Sequence, residues 1–163
     1  RDRLRSRGLG DVYKRQMHNP CIIPGTAEQH TNAYIKVMDN PKVCVLGHTE
    51  SADYPYDYDA VTKACKEKNV AMEFNVSRFR SQTSIQRLHD IILPTCAKNG
   101  CYVIVDSDAH FCDKIGAFKK AEALLKDIDF PEELIVNADL ERFESFLRLR
   151  GIKTNSEIEP DED

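Results

Sequence analysis

The 163-residue sequence predicts an α/β fold built on a parallel sheet, and two observations carry that expectation. Short apolar runs alternate with amphipathic stretches long enough to cross over a sheet, and the polar residues that end those runs would gather at one rim. Such a sheet is either open or closed into a barrel. In both forms, chemistry collects at the carboxyl ends of the strands.

The elements follow in order. TAEQHTNAYIKVMDN begins with Thr26 and Gln29 spaced as a capping box and places His30, Tyr34, Val37 and Met38 on one helical face. KVCVLGH is a short apolar strand. The spacing of Val61, Ala64 and Cys65 predicts a helix over 57–68, and VAMEFN is the next strand. A helix over 82–98 turns Ile85, Leu88, Ile92 and Cys96 inward, with a kink expected at Pro94. CYVIVDSD is the third strand, AFKKAEALLKD a helix and ELIVN a fourth strand. Asp139 caps a last helix with Leu140, Phe143, Phe146 and Leu147 inward, which ends at Gly151.

Composition narrows the class. With 41% hydrophobic residues the chain buries one ordinary core, and its apolar runs are too short and too interrupted by charge to cross a bilayer. No basic start followed by an apolar stretch suggests a signal peptide, so a cytoplasmic protein is expected. The six cysteines, Cys21, Cys44, Cys65, Cys96, Cys101 and Cys112, form no C-x-x-C pair and are expected as reduced, mostly buried thiols. Residues 1–16 (RDRLRSRGLGDVYKRQ) carry six Lys or Arg against two Asp without any period, and no element is assigned to them. They resemble a translated adapter sequence; the alternative is a disordered basic tail. Without their charge of +4, the overall −4 becomes about −8 for the body, which argues against electrostatic nucleic-acid binding. Residues 152–163 are expected to be an acidic, solvated tail.

The predicted strand ends carry the chemistry. The first ends in Gly47-His48, the second in Asn75-Val76-Ser77, the third in Asp106-Ser107-Asp108-Ala109-His110 and the fourth in Asn137. Asp108 and His110, two apart, point to the same side of an extended chain and suit neighbouring metal ions. A lone D-x-H is weak evidence, but His48 on another strand end strengthens it. His30 and His89 are read as core-edge histidines, Cys112 as a partly buried thiol, and the acidic loop with Glu50 and Asp53 as solvated. Arg78 and Arg80 are either surface charges or ligands that orient a phosphate.

Together, MHNPCIIPGTAEQHTNAYIKVMDNPKVCVLGHTE, YDYDAVTKACKEKNVAMEFNVS, VDSDAHF and FPEELIVNADLERFESFL resemble the later part of the PHP (polymerase and histidinol phosphatase) domain. The branch of closest likeness is that of stand-alone bacterial PHP phosphatases, over residues 17–151. The resemblance implies the carboxyl-terminal part of a distorted seven-stranded (β/α) barrel, truncated at its amino end. It further implies a trinuclear zinc site, with manganese or iron as alternatives, and a small phosphorylated substrate.

Matched motif by motif, His18 corresponds to the histidine of S-x-H, His48 to that of G-H, and Asp108 and His110 to those of S-D-x-H. His18 and His48 would share one ion. Asp108 and His110, the expected catalytic pair, would help to hold the other two, and a metal-bound hydroxide would attack phosphorus. Asn75 would support the ligands from behind. Asp106 replaces the usual Gly, and Val76 a usual Asn. The family's opening H-x-H, two further histidines and a bridging Glu have no counterpart, so this chain alone is expected to bind metal poorly, to be inactive, and to be prone to aggregate through uncovered sheet surface. The alternatives are a PHP-type nuclease or proofreading module and a non-enzymatic metal-binding module.

Overall fold

A computed structural model describes residues 13–17, 22–109 and 111–153 of the chain. Four parallel strands, β1 (Tyr13–Gln16), β2 (Val43–Gly47), β3 (Ala71–Asn75) and β4 (Val103–Asp106), lie side by side in sequence order. This is the predicted α/β class. Strand β1 comes from the stretch to which the sequence assigned no element. It pairs with β2 through Lys14–Val45 and Gln16–Gly47, beside a register shift between Tyr13 and Lys14.

Each crossover is helical: α1 (Ala27–Val37) precedes β2, and α2 (Tyr58–Lys68) joins β2 to β3. The Thr26 capping box forms in both directions, with Thr26 Oγ1 accepting from the Gln29 N–H and Gln29 Oε1 accepting from the Thr26 N–H. Asp57 caps α2, which stops at Asn69 in the left-handed conformation. The predicted helix over 82–98 is present as α3 (Gln82–Arg87), a π turn (Leu88–Ile92) and α4 (Leu93–Asn99). Pro94 explains the break. It has no N–H to give to the preceding turn, so the helix widens by a residue and the Leu93 N–H reaches Leu88. After β4 come α5 (Lys119–Asp127) and α6 (Leu140–Leu149), the latter capped by Asp139 and followed by Gly151 at φ +69°.

Period-two alternation splits the sheet into two faces. Leu46, Met72, Phe74, Val103 and Val105 pack with Tyr34 of α1 and Met38 at its C-cap, Val61 and Cys65 of α2, Leu88 and Ile92 of the π turn, and Leu124 of α5. The opposite face carries Val45, Ala71 and Ile104 under Phe146 and Leu147 of α6. Strands β2 and β3 are buried at every position because both faces are covered. Further along, that second face turns polar: Glu73 and Asn75 follow Ala71 by two and four residues, and Asp106 follows Ile104 by two.

Three expectations need correction. ELIVN is not a strand: Glu132–Leu134 is a 3-10 turn, and Ile135 makes a single bridge to Val103. Asn137, expected at the rim, instead lies along β4, where its amide accepts from the Val105 N–H (3.0 Å) and donates to the Val105 carbonyl (2.6 Å). Leu140, expected inward, is 73% exposed at the start of α6. Among the described residues, no helix is long and apolar enough to cross a membrane, and Cys44, Cys65, Cys96 and Cys101 are buried. Cys112 is exposed, not partly buried, and Cys21 lies outside the described residues.

Candidate active site at the strand ends

Strand ends β2, β3 and β4 bring His48, Asn75, Asp106 and Asp108 to one rim. His48 leaves β2 in the left-handed conformation at φ +55° and is 7% exposed. Its N–H donates to Glu73 Oε2 at 2.9 Å, and its Nδ1 lies 3.7 Å from Glu50 Oε1. Glu50 is fully buried, contrary to the solvated loop expected, and the Arg87 guanidinium donates to its carbonyl at 3.2 Å. Asp53 is exposed as expected.

Asn75 is the hinge between two strand ends. Its Nδ2 donates to Asp108 Oδ2 at 3.1 Å, while its Oδ1 accepts from the Ser77 N–H (2.9 Å) and hydroxyl (2.7 Å). The Ser77 hydroxyl is also 3.2 Å from Asp108 Oδ2. Asp108 itself sits at φ +43°, a left-handed bend that carries the chain away from β4. The Asn75 amide and the Asp108 carboxylate are thus joined by a direct hydrogen bond. His18 and His110 lie outside the described residues. Arg78 and Arg80 have their backbone in a 3-10 turn (Val76–Arg80) directly after β3, and their side chains are outside the described set.

Glu73 and Asp106 form an acidic pair that the sequence analysis missed. Glu73 is 1% exposed, and the Lys14 ammonium donates to its Oε1 at 2.6 Å. Burial pushes the Glu73 carboxyl up, but hydrogen bonds from Asp106 and Lys14, the Lys14 charge and the His48 N–H together hold it below the usual range. Asp106 moves the other way. Burial first, then the hydrogen bond to Glu73 and its negative charge, push the Asp106 carboxyl up to about 8, although Lys14 lies 3.9 Å away. Asp106 is thus the carboxylic acid of the pair and Glu73 the carboxylate. The signal was present in VAMEFN: a Glu inside a buried strand must have a partner, because an unpaired buried charge is too costly.

The other histidines are not part of the rim. His30 is buried with Nδ1 2.7 Å from the Pro55 carbonyl and Nε2 accepting from the Gly25 N–H at 2.8 Å, so both ring nitrogens are taken and the proton sits on Nδ1. His89 lies between Asp90 (2.5 Å) and Asp127 (3.1 Å), half-exposed, and these carboxylates raise its pKa. Among the described residues, no three His, Cys, Asp or Glu side chains are grouped so as to hold a metal ion. His48 supplies an almost buried imidazole and Asp108 a carboxylate oriented by an amide, donor types that a metal ion can use.

No family model matches the chain. It is 38% identical over 143 residues to a protein of Clostridium novyi named "Probable phosphatase", an alignment that covers 86% of this chain and 58% of that protein. A protein of the same name from Clostridium acetobutylicum is 38% identical over 154 residues (91% and 62%), and one from Caldicellulosiruptor saccharolyticus 40% over 141 residues (86% and 59%). The chain is thus similar over most of its length to proteins named as phosphatases and spans about three fifths of theirs.

Proposed function

We propose that the chain is the carboxyl-terminal portion of a metal-dependent phosphomonoesterase of the PHP family, with its sheet completed to a (β/α) barrel by the share of its relatives' length that it does not span. The observation that supports this most is the rim, where an imidazole after β2 and an amide-braced carboxylate after β4 stand at the carboxyl ends of parallel strands on either side of β3. The similarity to proteins named as phosphatases supports the reaction class.

His48 and Asp108 bind cations in this reading, with His18 and His110 as further ligands. Zinc is the expected ion, with manganese or iron as alternatives. When bound, the ions supply an acidified water and positive charge for the phosphate oxygens. Asn75 and Ser77 hold the Asp108 carboxylate in one orientation, which spares it reorganisation when the site fills. Arg78 and Arg80 follow β3 at the same rim and would orient the phosphate of a small substrate. Beside this constellation, burial and the Glu73 carboxylate push the Asp106 carboxyl up to about 8 in the metal-free protein.

The test is made on a protein extended to the length of the relatives. Bound transition metal and hydrolysis of an aryl phosphate are expected, both lost together in His48→Ala and Asp108→Ala. Metal-free protein, or cleavage of a single-stranded oligonucleotide without aryl phosphate hydrolysis, would reject the reading.

A further inference from the structure

We propose that Glu73 is a positioning residue: its carboxylate fixes the exit of β2 and so presents the His48 imidazole to the cation that the phosphatase reading requires. The inference rests on that reading for its purpose, but its geometry stands apart. His48 adopts a left-handed backbone that residues with a Cβ rarely hold, so something must keep it there. Glu73 Oε2 does so by accepting the His48 N–H at 2.9 Å.

The neighbouring strand is built to admit that oxygen. A Cβ on Gly47 would stand 2.9 Å from Glu73 Oε2, closer than such atoms approach, with Lys14 and Gln16 crowding the same space at 3.1 and 3.2 Å. Gly47 is therefore the slot through which the carboxylate of β3 reaches across β2. A buried charge of this kind adds little net stability over a well-packed apolar side chain. Its place between the middle of β3 and the backbone of His48 gives it a different use, orientation of a ligand from behind.

The clamp is testable in the chain as it stands, without metal or substrate, by assigned amide and imidazole NMR. The His48 amide proton is expected to resonate downfield and exchange slowly, as donors to carboxylates do. Glu73→Ala should abolish both features. Gly47→Ala should abolish them too, without any change of charge, because the new Cβ displaces the carboxylate. Glu73→Gln keeps an acceptor and should keep slow exchange. The His30 ring resonances, locked by Gly25 and Pro55, report that the fold is intact. In parallel, Zn²⁺ alone is titrated into the protein extended to the length of the relatives, with an expected loss of affinity of about 10–100-fold in Glu73→Ala and Gly47→Ala and less in Glu73→Gln.

An unchanged His48 amide in Glu73→Ala or Gly47→Ala with His30 intact overturns the clamp. Loss of the amide signature with unchanged Zn²⁺ affinity overturns the positioning role. If Glu73→Ala does not fold, Gly47→Ala and Glu73→Gln decide the matter. An extended parent protein that takes up no Zn²⁺ at all counts against the phosphatase reading, while the hydrogen bond of Glu73 is judged separately by the amide.

Discussion

Asp106 carries a proton that its neighbourhood makes hard to remove, and this gives stability a pH dependence. The unfolded chain releases that proton near the ordinary value of 3.8, whereas the folded state keeps it to about 8. Between those values the folded state binds more protons, so stability falls as pH rises from about 4 to about 8 and levels off above. Glu73 works in the other direction, adding stability above its ordinary value of 4.5 that is lost on acidification, so the two windows scarcely overlap. Melting temperatures of the metal-free chain across pH 5–9 should therefore decline, and Asp106→Asn should flatten the decline. At Asn75 the prediction concerns order. Asn75→Ala removes the donor to Asp108 and should weaken metal binding in the extended protein by about 10-fold or more, measured by titration, while Asn75→Asp adds repulsion and does worse.

Helices and turns give predictions of stability. Thr26→Ala removes the side-chain arm of the capping box, leaving the backbone N–H to Gln29, and should cost about 0.5–2 kcal/mol in urea denaturation. Asn137→Ala uncovers the Val105 N–H and carbonyl at the edge of β4 and should cost about 1–3 kcal/mol by the same measurement. These two sites also mark what was legible. The cap was plain in sequence because Thr26, Gln29 and the apolar spacing of α1 are all local. Asn137 was not, since ELIVN has the composition of a strand, and only the position of β4 shows that one bridge and one amide replace a ladder. Pro94 falls between: a disturbance was predictable, and the packing of Leu88 and Ile92 settles it as a π turn that keeps both inside.

At the scale of the molecule, one sheet face is helix-covered and the other changes from apolar under α6 to polar beside Glu73, Asn75 and Asp106. Among the described residues, β1 and β4 end the ladder of the parallel sheet, and edge strands carry backbone groups available for pairing. The chain alone should associate with rising concentration in sedimentation velocity, more so in Asn137→Ala, and less when extended to the length of its relatives. The sequence by itself determined the α/β class, the helices, strands β2, β3 and β4 and the placement of His48, Asn75, Asp106 and Asp108 at strand ends. Those depend on periodicity, capping and chain breaks, which act over a few residues. Tertiary structure alone decided that Glu73 reaches His48 through the slot at Gly47, that Glu50 is buried, and that Asp106 keeps its proton. Each of these depends on groups from different strands or loops meeting in a low-dielectric space, and no spacing along the chain encodes that distance.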